Sequence, residues 1–170
     1  MALNALERLS IPYRLGVSEH MVLRRIGVVA KITAQALRAP VAYGVCGLVE
    51  RDCKVLLVRH SYVAGWLLPG GGVRRGEPAE QAIMRELREE IGLIRSAPPE
   101  FFGLYSRKIG WATNVIVLYR LRDTEFTFRP NFEVREILFA DPKAPPPQTP
   151  ASVRRRLAEF TGMEPRDQHW

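Results

Sequence analysis

Cysteine is scarce in this chain of 170 residues: Cys46 and Cys53 are the only two. If residues 42–50 and 54–60 pair as a hairpin about Arg51-Asp52, Cys46 faces Leu57 and Cys53 faces Glu50. That is too far apart along the ladder for a disulfide. Two cysteines are also too few for a structural zinc site, so a reducing cytoplasm is the expected compartment. Long apolar runs are missing as well. None approaches the ~20 residues needed to span a bilayer, and the first residues lack the continuous apolar stretch of a secretory signal. There is no internal repeat, no zinc-finger spacing and no aromatic ribonucleoprotein signature.

Acidic residues are outnumbered, 18 against 25 basic, for a net charge of +7. Such an excess suits an anionic nucleotide, RNA or an anionic lipid surface, and by itself specifies no chemistry. Much of it lies in residues 1–40, where Arg8, Arg14, Arg24, Arg25, Lys31 and Arg38 outnumber Glu7 and Glu19. A helix is expected over 19–37, capped by Ser18 and ended by Pro40. Its apolar residues Val22, Ile26, Val29, Ala30 and Leu37 are only loosely periodic. Two readings are open for it: a helix docked on its own domain, or peripheral contact with anionic lipid. The remaining length suits one domain that buries ~70% of the surface its unfolded chain exposes.

The densest chemistry lies in residues 71–93, GGVRRGEPAEQAIMRELREEIGL. Glu86, Glu89 and Glu90 fall at i, i+3 and i+4, so they project from one side of one helix. That helix follows Pro69-Gly70-Gly71-Gly72, a run whose backbone can approach a ligand closely. On a solvated face such like-charge pairs cost a few tenths of a kcal/mol. In a cleft with an effective dielectric of about 20, two carboxylates ~6 Å apart repel by roughly 3 kcal/mol. A cleft therefore demands a cation or raised pKa values. Pro78 suits the first turn of the helix and Gly92 the left-handed stop past its end. Ala79, Ala82, Ile83, Leu87 and Ile91 form the stripe that seats it on a core.

Read with its spacing, the segment is Gly71, five residues, Glu77, seven residues, Arg85-Glu86-Leu87, one residue, Glu89-Glu90, one residue, Gly92-Leu93. This resembles the signature of the Nudix hydrolases at every specified position. The resemblance covers roughly residues 41–140 and implies an α/β Nudix fold, a mixed β-sheet sandwiched between α-helices (α/β/α). The chain is read as a domain over 41–170 after a basic helical extension at 1–40 that lies outside the resemblance. It implies hydrolysis of a diphosphate linkage in a nucleoside diphosphate derivative, assisted by Mg2+ or Mn2+. Glu89 and Glu90 are the implied metal ligands, joined by the Gly70 carbonyl. Glu86 is implied to be a ligand or the base that deprotonates water, and both roles stay open. Arg85 is implied to support the site by pairing with Glu77. A further base often comes from outside the signature; here Glu133 is preferred to Glu136. Two alternatives are carried: a non-catalytic nucleotide-binding regulatory module, and removal of pyrophosphate from the 5′ end of RNA.

The rest of the chain reads as strands at 41–49, 54–60, 101–108, 113–120, 125–130 and 136–142. A proline-rich stretch covers 142–150, and a last helix covers 150–160 with Thr149 as its cap and the basic triplet Arg154-Arg155-Arg156. Substrate contacts are sought in RHSYVAGWLLPGGG: Trp66 and Tyr62 to stack a base, Arg59 and His60 to reach phosphate. For Trp66 a scaffold role is preferred to stacking. Arg74 and Arg75, in the loop after the glycines, are read either as electrostatic clamps on the phosphates or as solvated charges. Monomer and homodimer are both compatible with the sequence, and no residue specifies the group carried by the diphosphate.

Overall fold

The structure, a computed structural model, describes residues 19–170, with side chains from Gly27 onward. Arg8, Arg14, the cap expected of Ser18 and the side chains of Val22, Arg24, Arg25 and Ile26 lie outside the described residues. Helix α1 (Glu19–Arg38) ends just ahead of Pro40, where the residue before a proline is pushed out of the helical region. It belongs to a separate unit from Ala39–Trp170.

The larger unit is built on a mixed sheet. Strands β1 (Val41–Arg51), β2 (Lys54–His60), β5 (Glu100–Ile109), β6 (Ala112–Leu121) and β8 (Val134–Ala140) are ordered β5-β6-β1-β2-β8. Only β1 and β6 run parallel. The short β3 (Gly70–Gly72) pairs antiparallel with β1. A separate two-stranded ribbon joins β4 (Leu93–Arg95) to β7 (Glu125–Phe126).

Strand alternation splits the apolar side chains between two faces. Val45 and Val49 of β1, Leu56 and Val58 of β2, and Val117, Tyr119 and Leu121 of β6 line one face, where Ala82, Ile83, Leu87 and Ile91 of α2 (Ala79–Ile91) cover them. Leu48, Val55, Leu57 and Leu118 line the other, under Val153 and Leu157 of α3 (Ala151–Phe160). Each fully buried aliphatic side chain contributes about 1.5–3 kcal/mol relative to exposure. The expected sandwich of sheet between helices is the observed one.

Several local expectations are corrected. The β1–β2 turn is Asp52-Cys53, not Arg51-Asp52: Glu50 faces Val55 and Arg51 faces Lys54. Both turn residues take positive φ, 50° and 59°, as a two-residue turn matched to strand twist requires. Cys53 is therefore exposed at the turn, not opposite Glu50. Thr149 does not cap α3; its hydroxyl donates to the Pro146 carbonyl at 2.8 Å, and Pro150 takes the cap position. The strand expected over 125–130 shrinks to β7, and the glycine run expected as a loop adds β3 to the edge of β1.

Candidate active site

Two local devices bring the glycine run and the acidic helix together. Pro78 is extended (ψ 141°) and immediately precedes α2, and Gly92 ends the helix at φ 70°, its N–H donating to the Arg88 carbonyl. A Cβ at Gly92 would meet the Thr127 carbonyl oxygen at 2.3 Å, so a side chain there would collide with the chain leaving β7. At the other end β3 is held by β1, with Gly71 opposite Val45 and Gly70 opposite Cys46. Glu90, 2% exposed, accepts a hydrogen bond from the Gly70 N–H at 2.8 Å. The Glu86 carboxylate lies against Gly71 so closely that a Cβ on that glycine would stand 2.6 Å from its carboxyl carbon. Glycine at 71 is a condition for the carboxylate reaching this backbone.

Arg85 organises the acidic residues. Its Nε and Nη2 donate to the two oxygens of Glu77 at 2.8 and 2.9 Å, a bidentate fork. Nη2 also donates to the Gly72 carbonyl at 2.9 Å, and Nη1 to Glu86 at 2.7 Å and Glu89 at 3.2 Å. Hydrogen bonds from Arg85 and then from the Arg74 N–H hold the Glu77 carboxyl down, at about 2. The same bonds from Glu77 push the Arg85 guanidinium further above its ordinary range. Because Arg85 lies between Glu86 and Glu89 while Glu90 turns to Gly70, no three Asp, Glu, His or Cys side chains converge on one point among the described residues.

Glu90 carries the strain of this arrangement. Burial, followed by the charges of Glu86, Glu133 and Glu89, raises its carboxyl to about 8, against the opposing Gly70 hydrogen bond. His60 Nε2 lies 3.6 Å from the other Glu90 oxygen. Burial lowers the His60 pKa, which favours a neutral imidazole at pH 7. Glu133 thus stands within electrostatic reach of Glu90, while Glu136 is engaged by Arg59 at 3.2 Å. The sequence reading missed how Glu133 is placed. Asn131 donates to the Glu89 and Glu90 carbonyls at 3.3 and 3.2 Å and accepts from the N–H groups of Glu133 and Val134 at 2.9 and 2.8 Å. An asparagine two residues before an acidic one, in a loop, was the available signal.

Of the residues sought as substrate contacts, Arg59 lies over the Trp66 ring at 4.5 Å while pairing with Glu136. Trp66 is 8% exposed within the core under α3, the scaffold role rather than a free stacking face. Tyr62 is exposed, its ring 5.2 Å from His60. Burial and then the charges of Glu133, Glu90 and Glu86 raise its hydroxyl pKa. Arg74 reaches Glu89 at 3.2 Å, and Arg75 is exposed. Burial pushes the Cys46 thiol up to about 12, so it is no nucleophile at neutral pH.

The sequence model of the NUDIX domain matches residues 38–160. The chain is 40% identical over 68 residues to an ADP-ribose pyrophosphatase of Methanocaldococcus jannaschii, covering 38% of this chain and 40% of that protein. It is 43% identical over 53 residues to the nucleoside triphosphatase NudI of Salmonella heidelberg, covering 28% and 38%. The aligned part thus spans about two fifths of the length of these curated relatives. Among solved structures, a MutT NUDIX hydrolase from Burkholderia pseudomallei superposes with a TM-score of 0.62 at 21% identity, covering 69% of this chain and 95% of that one. That likeness is one of fold.

Proposed function

The chain belongs to the NUDIX family, and on that premise we propose that it hydrolyses the diphosphate linkage of a nucleoside diphosphate derivative, with water attacking phosphorus. The observation that supports this most is the apposition of a glycine strand and a carboxylate helix. Glu90 is bonded to the Gly70 N–H, and Glu86 fills the space a Cβ at Gly71 would take. All the donors gathered there are carboxylate or carbonyl oxygens, the set that suits Mg2+ or Mn2+. Glu86, Glu89 and Glu90 would hold the ion together with the Gly70 carbonyl, which requires Glu86 and Glu89 to turn from Arg85 and Glu90 from the Gly70 N–H that they engage in this structure. When bound, it supplies charge neutralisation for the diphosphate and lowers the pKa of a coordinated water.

The chain's own residues then have separable tasks. Arg85 fixes the orientation of Glu86 and Glu89 through one guanidinium, and Glu77 fixes Arg85. Glu86 serves as ligand or base. Glu133, whose backbone is held by Asn131 and whose charge acts on Glu90, is the second carboxylate able to take the proton of the attacking water. Arg74, on the exposed side of Glu89, supplies positive charge to the phosphates. The relatives, an ADP-ribose pyrophosphatase and a nucleoside triphosphatase, support a nucleotide as the substrate class.

Glu89→Gln and Glu90→Gln test the reading. Each keeps its side-chain volume and one acceptor oxygen, so the circular-dichroism spectrum should be unchanged while turnover with Mg2+ falls by about 100-fold or more. Turnover near that of the natural chain in both variants would sink the mechanism. A substrate panel that reads phosphate, pyrophosphate and nucleoside monophosphate separately identifies the phosphorus attacked. Including triphosphorylated RNA separates the free-nucleotide reading from RNA 5′ processing.

A further inference from the structure

Beside the carboxylates lies a cavity of about 400 Å3 that extends from Gly70 and His60 to Trp170, within the ~300–1,000 Å3 usual for ligand sites. Buried Leu68 and Ile116 give it apolar walls, and Tyr62 and Trp170 border it with aromatic rings. Arg107 is the one cationic residue in its lining. That residue is exposed and forms no ion pair among the described residues, and its charge reaches Cys46 against those of Glu90 and Glu86. An apolar, ring-bordered space with one unpaired cation in its lining thus adjoins Gly70, whose N–H is bonded to Glu90.

Trp170 lies outside the residues 38–160 shared with the family, yet its placement is heavily determined. Residues 168–170 run along β5: the Ser106 N–H donates to the Gln168 carbonyl at 2.8 Å, and the Trp170 N–H donates to the Ser106 carbonyl at 3.0 Å. Arg156, wholly buried, donates to the His169 carbonyl at 2.8 Å and to Glu159 at 2.6 Å. Its guanidinium lies 4.0 Å from the Tyr105 ring centre and 5.7 Å from that of Trp170. The Tyr105 and Trp170 rings meet edge to face at 5.6 Å. A strand-like pairing, a buried cation and an aromatic edge all hold one indole at the cavity.

We propose that Trp170 is a specificity-determining residue of this site: its indole stacks on the flat ring of the substrate's nucleobase, and Arg107 receives the phosphate chain between that ring and the carboxylates. The proposal rests on the diphosphate-hydrolysis reading for its substrate class. Stacking on an aromatic side chain tolerates any base, because every base has a π face. The pocket therefore selects for a ring over an aliphatic group more strongly than for one base over another. Arg156 is a positioning residue in this scheme, since it touches the 169–170 backbone and indole rather than the substrate.

The test uses the full chain with ADP as probe. Without divalent metal, ADP should quench part of the tryptophan fluorescence; Trp170→Phe should abolish most of that quench, while Trp111→Phe, at the exposed β5–β6 turn, should leave it. With Mg2+, Trp170→Ala should raise KM for a nucleoside diphosphate derivative about 10-fold with kcat within about twofold, as expected for the loss of one stacked ring. Trp170→Phe should recover most of the affinity, and KM for an alkyl diphosphate should be unmoved in both variants. A quench that survives Trp170→Phe, or an equal KM rise for the alkyl diphosphate, would overturn the proposal. A natural chain that quenches with ADP but hydrolyses no diphosphate would bring down the functional reading and leave the stacking intact.

Discussion

Arg85 on α2 and Arg156 on α3 each sit among carboxylates on helices covering opposite faces of one sheet, and they differ in access to water. The Arg85 side chain is 15% exposed and spreads over Glu77, Glu86 and Glu89; the Arg156 side chain is 0% exposed and meets only Glu159, itself 0% exposed. At a surface-accessible cluster, solvent screens the ion pairs and the guanidinium can be shared among several acids without a large desolvation cost. In the interior the same charge must be matched one to one and its remaining donors satisfied, or the fold loses more than it gains. Arg156 accordingly uses the His169 carbonyl and the faces of Tyr105 and Trp170, while its buried Nε is left without a hydrogen-bond partner. Glu159 takes the Tyr105 hydroxyl at 2.9 Å and the Asp167 N–H at 3.0 Å. One cluster gathers three acids on a single guanidinium; the other fastens a chain segment.

The sharpest way to break this contrast is Arg156→Ala, which strands the Glu159 carboxylate in the core. Urea unfolding should show a loss of roughly 3–5 kcal/mol, and Arg156→Met with Glu159→Leu should restore part of it. A loss below about 1 kcal/mol would mean that water reaches this pair. Arg85→Lys should do the reverse: stability within about 1 kcal/mol of the natural chain, but turnover lowered about 10–100-fold, because an ammonium cannot fork onto Glu77 while bonding Glu86 and Glu89. Unchanged turnover would remove Arg85 from the organisation of the site.

The smallest effect concerns pH. Glu77 has its carboxyl depressed from an ordinary 4.5 to about 2, first by the Arg85 hydrogen bonds. A depressed carboxyl stabilises the fold fully above its unfolded value, and that stabilisation fades as pH falls from 4.5 towards 2. Glu77→Gln should therefore melt below the natural chain at pH 6 and level with it near pH 2. A Tm difference independent of pH would assign the effect of Glu77 to packing rather than charge.

Much of this was legible in the residues because it is local. Pro78 and Gly92 bound α2 through their own backbone preferences, and the alternation within β1, β2 and β6 sorts side chains to two faces without reference to partners. The fork between Arg85 and Glu77 spans only eight residues. What the sequence hid depends on contacts far apart along the chain. Asn131 meets the end of α2 across about 40 residues, and β1 lies parallel to β6 across a connection that no hydrophobic period records. Arg59 looked free for phosphate, yet β8 runs beside β2 and brings Glu136 to it. The basic triplet at 154–156 does not announce in sequence that its third arginine is the most buried charge in the domain. The hairpin turn was misplaced by one residue because positive φ at a cysteine is not announced by its chemistry.

Asn131 makes the loop after β7 answer to the helix rather than to its own length. Its amide is fastened on one side to the last turn of α2 and on the other to the backbone entering β8. The backbone at Glu133 is therefore tied to the helix by one side chain, a ruler of fixed size, and to the end of β2 by the Ser61 N–H, which donates to its carbonyl at 2.9 Å. Residues inserted between β7 and Asn131 would bulge outward, at a closure cost that grows only slowly with length, and leave that spacing untouched. Relatives could therefore differ freely in this connection while keeping the same acid at the same place.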